Sequence, residues 1–436
     1  MELEIKDYLV EDVVEGLTPS LEGTTLVVNV EELERIIKED SRVASASVEI
    51  AYPGTSTRIW PVRDIIEPRI KTKGGGTSYP GICGRPIKGV GNGSTNKLSG
   101  VCVVEVSEVP WHEAGGDHLQ LFLDMSGPWA DLIPYSKLIN ICVIVEPVEG
   151  IPINEKNRVV HEACLKISDA LAALTVGNSP TRTETFALTP TDSDLPKVAY
   201  IQCVHSSQAT SGNMLLDGAA DTFCTSIYGH TELTPAIALH PNELMDGAIS
   251  GPYRTAFATS WMLVNNPILQ ELYELHGLEI DFVGCIAMRT EWTTQREKDL
   301  ISEQTARLAK LLRAEGVIVT WDAGGNEEVE VVQMIRECED IGIKAVWLTS
   351  DDHVPANGES TLLTPLPELD AIISTGCFRG GDLGFETVPA VDRVVGSKKK
   401  LVGRLRDREV ETSSAIAPPA MFDDHYGIMN QTCKEF

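Results

Sequence analysis

Between Met245 and Pro267 the chain reads MDGAISGPYRTAFATSWMLVNNP, a run with hydroxyl groups at Ser250, Tyr253 and Thr255 and no cysteine. A Ser or Cys side chain that attacks the peptide carbonyl before it turns an amide into an ester or thioester, and elimination then leaves a carbonyl at a new amino terminus. At Ser250 that route gives a pyruvoyl group after Ile249, and at Thr255 the homologous oxobutyryl group. Tyr253 cannot follow it. Its oxygen lies beyond a rigid ring and does not reach the carbonyl of Pro252 through a small cyclic intermediate. A hydroxyl is also a poorer nucleophile and leaving group than a thiol, and self-cleavage needs strain focused on one bond. The sequence therefore predicts a chain that stays intact at 47.4 kDa, with no carbonyl reactive toward hydrazines.

A second set of chemical groups follows apolar runs that read as strands: His205-Ser206-Ser207, Arg289-Thr290-Glu291, Trp321 to Asn326, and Thr375-Gly376-Cys377. In an open parallel sheet, ligands collect beyond the carboxyl ends of the strands. Arg289 is suited there to clamp a carboxylate through paired N–H groups, and Asp322 and Asn326 are expected to share its rim. Gly324-Gly325-Asn326 reads equally well as a turn before a helix whose first residues, Glu327 and Glu328, suit the helix dipole. Cys377 is a candidate nucleophile, but no histidine partner is visible in the sequence, which favours an inert buried thiol. Asp246 and Trp261 complete the candidate substrate-binding set. Tyr253 and Trp261 offer aromatic faces to a quaternary ammonium group, although aromatic side chains more often serve packing.

The elements that must position these groups change character along the chain. Leu26 to Val30 reads as a short strand before an amphipathic helix from about Glu31, and VASASVEIAYP alternates as a strand should. Ile59 to Lys71 continues extended, with Pro68 unsuited to a central strand. Two glycine-rich loops, KGGGTSYPG and KGVGNGSTNKLSG, lack the spacing of a phosphate cradle, and the second reads as a tight turn feeding a strand at Val101 to Val106. Leu119 to Leu123 and Leu138 to Val145 are further strands, and Glu155 to Leu174 is a long helix with one apolar side. From Lys197, strands at Val198 to Val204, Phe282 to Met288, Val317 to Thr320, Ala345 to Leu348 and Ala371 to Ser374 alternate with helices near Pro267 to His276, Gln295 to Glu315 and Glu327 to Ile341. That spacing predicts an α/β fold: a β-rich N-terminal domain over residues 1–152, a helical connector over 153–196, a parallel-sheet α/β domain with helices on both faces over 197–411, and a C-terminal tail over 412–436. The tail is acidic and reads as a segment that docks on a partner or on the N-terminal domain.

Composition narrows the function classes. A chain of 436 residues is long for one core. The formal net charge of −28, from 64 acidic and 36 basic residues, disfavours a phosphate-backbone partner. The start, MELEIKDYLVEDVV, lacks a secretory signal, and no apolar run approaches bilayer length, so a cytoplasmic protein is expected. Ten cysteines without a CxxC pair make neither a disulfide framework nor a metal site.

The MDGAI segment resembles the proprotein subunit of component B of the glycine, sarcosine and betaine reductases, in which it is followed by Ser-Gly-Asn-Cys. Here the matching letters are Ser250-Gly251-Pro252-Tyr253. The resemblance extends through Ile66-Glu67-Pro68-Arg69, the series Val90, Gly91, Gly93, Thr95, Leu98 and Gly100, Asp124-Met125 with Gly127-Pro128, Tyr228-Gly229, Asn265-Asn266-Pro267-Ile268, and Phe282-Val283-Gly284, as far as about Gly396. It implies a subunit that binds a small amino acid or betaine and works with a selenocysteine-containing partner, whose selenolate attacks the α-carbon and expels the amine. It also implies a pyruvoyl group made by cleavage before the Cys, which Tyr253 replaces here. No cofactor is therefore expected, and the partner carries selenocysteine or cysteine in an oligomeric assembly. Two other readings stay open: a non-catalytic scaffold that retains only assembly, and an unrelated α/β enzyme that uses its strand ends.

Overall fold

A computed structural model of the chain describes all residues except 110–120, 192–193, 206–224, 231–234, 252–257, 291–293, 323–326, 352–365, 378–389, 397–423, 425 and 429–436. The first half is built on two larger sheets. One runs in the order Leu121–Asp124, Thr57–Ile66, Val101–Val106, Ile139–Pro147, Val43–Ala51. Thr57–Ile66 is buried along its whole length, as the long extended run from Ile59 suggests, and Pro68 falls just past its end. The helix Ile153–Ala173 sets Val159, Val160, Cys164, Ile167 and Leu171 into a core shared with Val103, Ile141, Val143 and Val145. The other sheet is Arg182–Ala187, Glu2–Leu9, Gly93–Ser99, Arg69–Lys73.

Gly93–Ser99 corrects the reading of that stretch as a loop. It is a strand because both of its edges are paired, in parallel with Glu2–Leu9 and antiparallel with Arg69–Lys73. Of its buried residues only Leu98 is apolar, so no apolar alternation shows in the sequence. Asn96 is buried and donates to the hydroxyl of Thr175 at 3.0 Å, which pairs an amide N–H that would otherwise be costly to bury. Gly100 then makes the turn into Val101–Val106 at φ +80°, where a Cβ would lie 2.1 Å from the carbonyl oxygen of Val10. Two later segments return to these sheets: Arg182–Ala187 pairs with Glu2–Leu9, and Arg393–Gly396 pairs in parallel with Thr57–Ile66.

The third sheet is the one read from the apolar runs after Lys197. Its order is Ile237–Leu239, Asp281–Thr290, Lys197–His205, Gly316–Trp321, Lys344–Asp351, Ile372–Cys377, all parallel except the short first strand. Side chains alternate between its faces. Ala199, Ile201, Cys203, Ile286, Met288, Val317 and Val319 pack with the helices Gln295–Leu311 and Glu328–Asp340. The first of those helices starts at Thr294, which exchanges capping hydrogen bonds with Glu297. Tyr200, Val204, Cys285 and Ala287 face the other way. They join the helix Pro267–Leu275, Leu244 to Ile249, and Ile59, Val62, Val104 and Val106 of the first half in a single core. The free thiols Cys102, Cys142, Cys164, Cys203, Cys285 and Cys338 are buried, as small hydrophobes. No helix among the described residues is long and apolar enough to cross a membrane.

Phe282 is 1% exposed in that shared core and meets Tyr273 edge-on at 5.8 Å. Truncation there leaves a cavity between the sheet and the helix Pro267–Leu275. Phe282→Ala is expected to lose about 3–5 kcal/mol of unfolding free energy in urea denaturation; a loss below about 1 kcal/mol contradicts this packing.

Candidate functional site

The strand ends place Arg289 and Asp322 on one face of the parallel sheet, the face turned toward the first half. Arg289 continues the alternation of Cys285 and Ala287, and Asp322 follows Thr320. The two side chains grip the same two residues. Arg289 donates from Nη1 to the carbonyl oxygens of His205, at 3.0 Å, and Thr225, at 2.8 Å, and from Nη2 to the carbonyl of His230. Asp322 accepts the N–H of His205 at 2.8 Å and the hydroxyl of Thr225. Burial pushes the Asp322 carboxyl up to about 6, against the hydrogen bond from Thr225 and the positive charge of Arg289. On the opposite face, Nδ1 of His205 lies 2.6 Å from a carboxylate oxygen of Glu327.

Sequence reading singled out Arg289 and Asp322 but missed Thr225, His205 and Glu327 as site residues. Thr225 belongs to no periodic run. His205 was marked only as a strand end, and Glu327 only as a partner of the helix dipole. No signal in a single sequence joins them, because their contacts span 97 and 122 positions.

Thr225 leads directly into Ser226–Ile227, which pairs with Ile249–Ser250. The hydroxyl of Ser250 lies 2.7 Å from that of Ser226, so the structure brings Ser250 next to the Arg289 and Asp322 group. The chain beyond it is anchored at both sides of residues 252–257. The N–H of Gly251 donates to Oγ of Ser260 at 3.1 Å, and Ser260 donates from its own N–H and hydroxyl to Asp64 at 3.0 and 2.7 Å. Thr259 shares a 2.6 Å hydrogen bond with the hydroxyl of Tyr135 and caps the helix Ser260–Val264. The approach is close enough that only glycine fits at 251, where a Cβ would lie 2.8 Å from the Ala258 carbonyl oxygen and 2.9 Å from the Ser260 nitrogen. Burial also raises the Asp64 carboxyl to about 6.

Asp246 and Trp261, also expected in the site, are engaged by other partners. Asp246 is fully buried against the sheet of the first half, where it accepts from Lys71, the N–H of Gly91 and the hydroxyl of Thr95. Met245 beside it receives a 2.7 Å hydrogen bond from Arg69. Trp261 packs edge-on against Tyr135 at 5.3 Å. Cys377 ends the strand Ile372–Cys377, and its side chain, like Tyr253, Thr255 and Asn326, lies outside the described residues.

Comparison with known proteins gives a consistent picture. The sequence model of the family described as glycine/sarcosine/betaine reductase component B subunits matches residues 1–407. The chain is 31% identical over 408 residues to the sarcosine reductase complex component B subunit alpha of Peptoclostridium acidaminophilum, covering 91% of this chain and 89% of that one. It is 32% identical over 417 residues to the glycine reductase complex component B subunits alpha and beta of Acetoanaerobium sticklandii, covering 92% and 90%. The betaine reductase complex component B subunit alpha of P. acidaminophilum is 29% identical over 394 residues, covering 86% and 84%. No solved structure matches the chain.

The raised Asp322 carboxyl sets a pH dependence. Between its ordinary value of 3.8 and about 6, the folded chain holds a proton that the unfolded chain has released. The folded state is therefore favoured at pH 4, and the advantage is gone by pH 7. Relative to Asp322→Asn, the wild type should lose roughly 2.4 kcal/mol of stability between those pH values. Urea denaturation of both proteins at pH 4 and 7 checks it; an unchanged difference contradicts the assignment.

Proposed function

The chain belongs to the family of glycine/sarcosine/betaine reductase component B subunits, and from that premise we propose that it binds a small amino acid or betaine and presents it to a selenocysteine- or cysteine-containing partner for reductive removal of the amine, without forming a pyruvoyl group. Family membership over residues 1–407 sets aside the reading of an unrelated α/β enzyme.

One observation carries the proposal: Arg289 and Asp322 share His205 and Thr225 as partners at the strand ends, directly beside Ile249–Ser250. A small zwitterion needs a cation for its carboxylate and an anion for its ammonium group, and these two side chains supply one of each on a single rim. Asp322, with its carboxyl near 6, is readily held ionised by an ammonium group placed against it.

Two features disfavour pyruvoyl formation in this reading. No thiol lies between Met245 and Pro267, and the Ser250 hydroxyl is paired with that of Ser226 in a short strand pair. A quaternary ammonium substrate forms no Schiff base, so a chain lacking the carbonyl suits such a substrate. The chain's own residues would bind the carboxylate and orient the α-carbon, leaving the displacement to the partner.

A scaffold role is the second reading, favoured by the three backbone carbonyls that Arg289 already serves. Calorimetry separates the two. The wild type is expected to bind at least one of glycine, sarcosine and glycine betaine, and Arg289→Lys to bind about tenfold more weakly, because an ammonium cannot reproduce the planar fork. Binding of none of the three by the wild type would support the scaffold, and equal affinity in Arg289→Lys would remove Arg289 from the site.

A further inference from the structure

Several motifs that the strand-end site leaves unused meet in one buried cluster of the first half: Glu67 and Arg69, Gly91 and Thr95, Met245 to Gly247, and Asn265. Arg69 donates from Nη1 to the carbonyl oxygen of Met245 at 2.7 Å and from Nη2 to Glu67 at 2.6 Å. The second carboxylate oxygen of Glu67 accepts from Asn265 at 3.1 Å and from Lys97 at 3.5 Å. Both oxygens of Asp246 are used as well, by Lys71, the N–H of Gly91 and the hydroxyl of Thr95. Among the described residues, these ion pairs set three cations, Arg69, Lys71 and Lys97, against two carboxylates.

Tyr79 reaches the same cluster from the loop after Arg69–Lys73. Its ring lies on Gly247, where a Cβ would come within 3.4 Å of ring carbon Cδ1. Burial raises the Tyr79 phenol above its ordinary range, against the nearby positive charge of Arg69, so the hydroxyl keeps its proton. Nε of Arg69 and the hydroxyls of Ser78 and Tyr79 are buried with no hydrogen-bond partner among the described residues, and these three residues are no more than 3% exposed. An Arg N–H can only donate. The carboxylate oxygens of Glu67 and Asp246 already accept, and Asp64, whose charge also reaches the phenol, accepts twice from Ser260. The donors left over call for an acceptor from outside the chain. One that carries a single negative charge also balances the third cation, which a water molecule does not.

We infer that Arg69 and Tyr79 form a binding site for a small monoanion of the carboxylate class, beneath the turn at 245–247 and distinct from the strand-end group. Its oxygens accept from Nε of Arg69 and from the Tyr79 hydroxyl, and its charge ties that turn to the sheet carrying Arg69. The site does not depend on what the strand ends bind. Formate, the smallest carboxylate, is the probe, titrated at constant ionic strength and followed by NMR line broadening of the 13C-labelled ion. The full-length wild type is expected to bind it saturably, and Tyr79→Phe, which keeps the ring and loses only the donor, to bind about tenfold more weakly. No saturable binding by the wild type, or equal affinity in Tyr79→Phe, would overturn the site.

Urea denaturation of the same two proteins separates an anion from a water. A buried hydroxyl without a protein partner contributes nothing when removed, so without formate Tyr79→Phe should unfold at the wild-type midpoint or above it, and formate should raise the wild-type midpoint alone. A midpoint lowered in Tyr79→Phe by the same amount with and without formate means that a water holds the hydroxyl, and overturns the site. Arg289→Lys is expected to bind formate as the wild type does. If it does so while the wild type binds none of glycine, sarcosine and glycine betaine, the anion site stands and the substrate proposal fails.

Discussion

Buried charge, and the requirement that each charged group find its partner across the chain, is the constraint on which this molecule depends. Asp64, Glu67, Arg69, Asp246, Arg289 and Asp322 are each no more than 2% exposed. An ion taken out of water without a partner costs several kcal/mol, so these groups commit the chain to the one arrangement that satisfies them. Their partners are distant in sequence. Arg69 and Lys71 reach Met245 and Asp246, Asp64 reaches Ser260, and Asp322 reaches Thr225. The stretch from Met245 to Ser260 is consequently pinned to the sheets of the first half at two places. Through Ile249–Ser250 and Ser226–Ile227, it is also pinned to the ends of the parallel sheet.

That pinning explains how the stretch can matter without a thiol. The run from Met245 to Pro267 holds no cysteine, while Ser250 and Thr255 keep their hydroxyls. What stays is position. Gly251 and Ser260 are held in contact by Asp64, and Ser250 is held against Ser226. Thr225, to which both strand-end charges bond, lies one residue from that pairing. A site that recognises a zwitterion by charge needs this geometry and does not need the covalent carbonyl.

Much of the fold was legible in the sequence, for a physical reason. Strands buried on both faces are near-continuous apolar runs, and those at Val198 to Val204, Phe282 to Met288 and Val317 to Thr320 are recovered as neighbours in one parallel sheet. The helix read from Glu155 begins two residues earlier, at Ile153. Illegible were elements whose stability comes from remote polar partners. Gly93–Ser99 looks like a loop because its buried Thr95 and Asn96 are polar and hydrogen-bond to the remote Asp246 and Thr175. Arg393–Gly396 is only four residues long and gains its meaning by pairing with Thr57–Ile66, more than three hundred positions away. At the site, Arg289 and Asp322 were visible as polar residues ending apolar strands. Thr225 was not, since it neither ends a strand nor belongs to a motif.

The central claim is that this component B subunit works as an uncut chain. Denaturing mass spectrometry of the purified protein tests it most directly. The account predicts a single species at the full mass of 47.4 kDa, unreactive toward hydrazines. Two fragments meeting between Ala248 and Ala256, the second blocked to Edman sequencing, would contradict it and return the chain to carbonyl-based substrate capture.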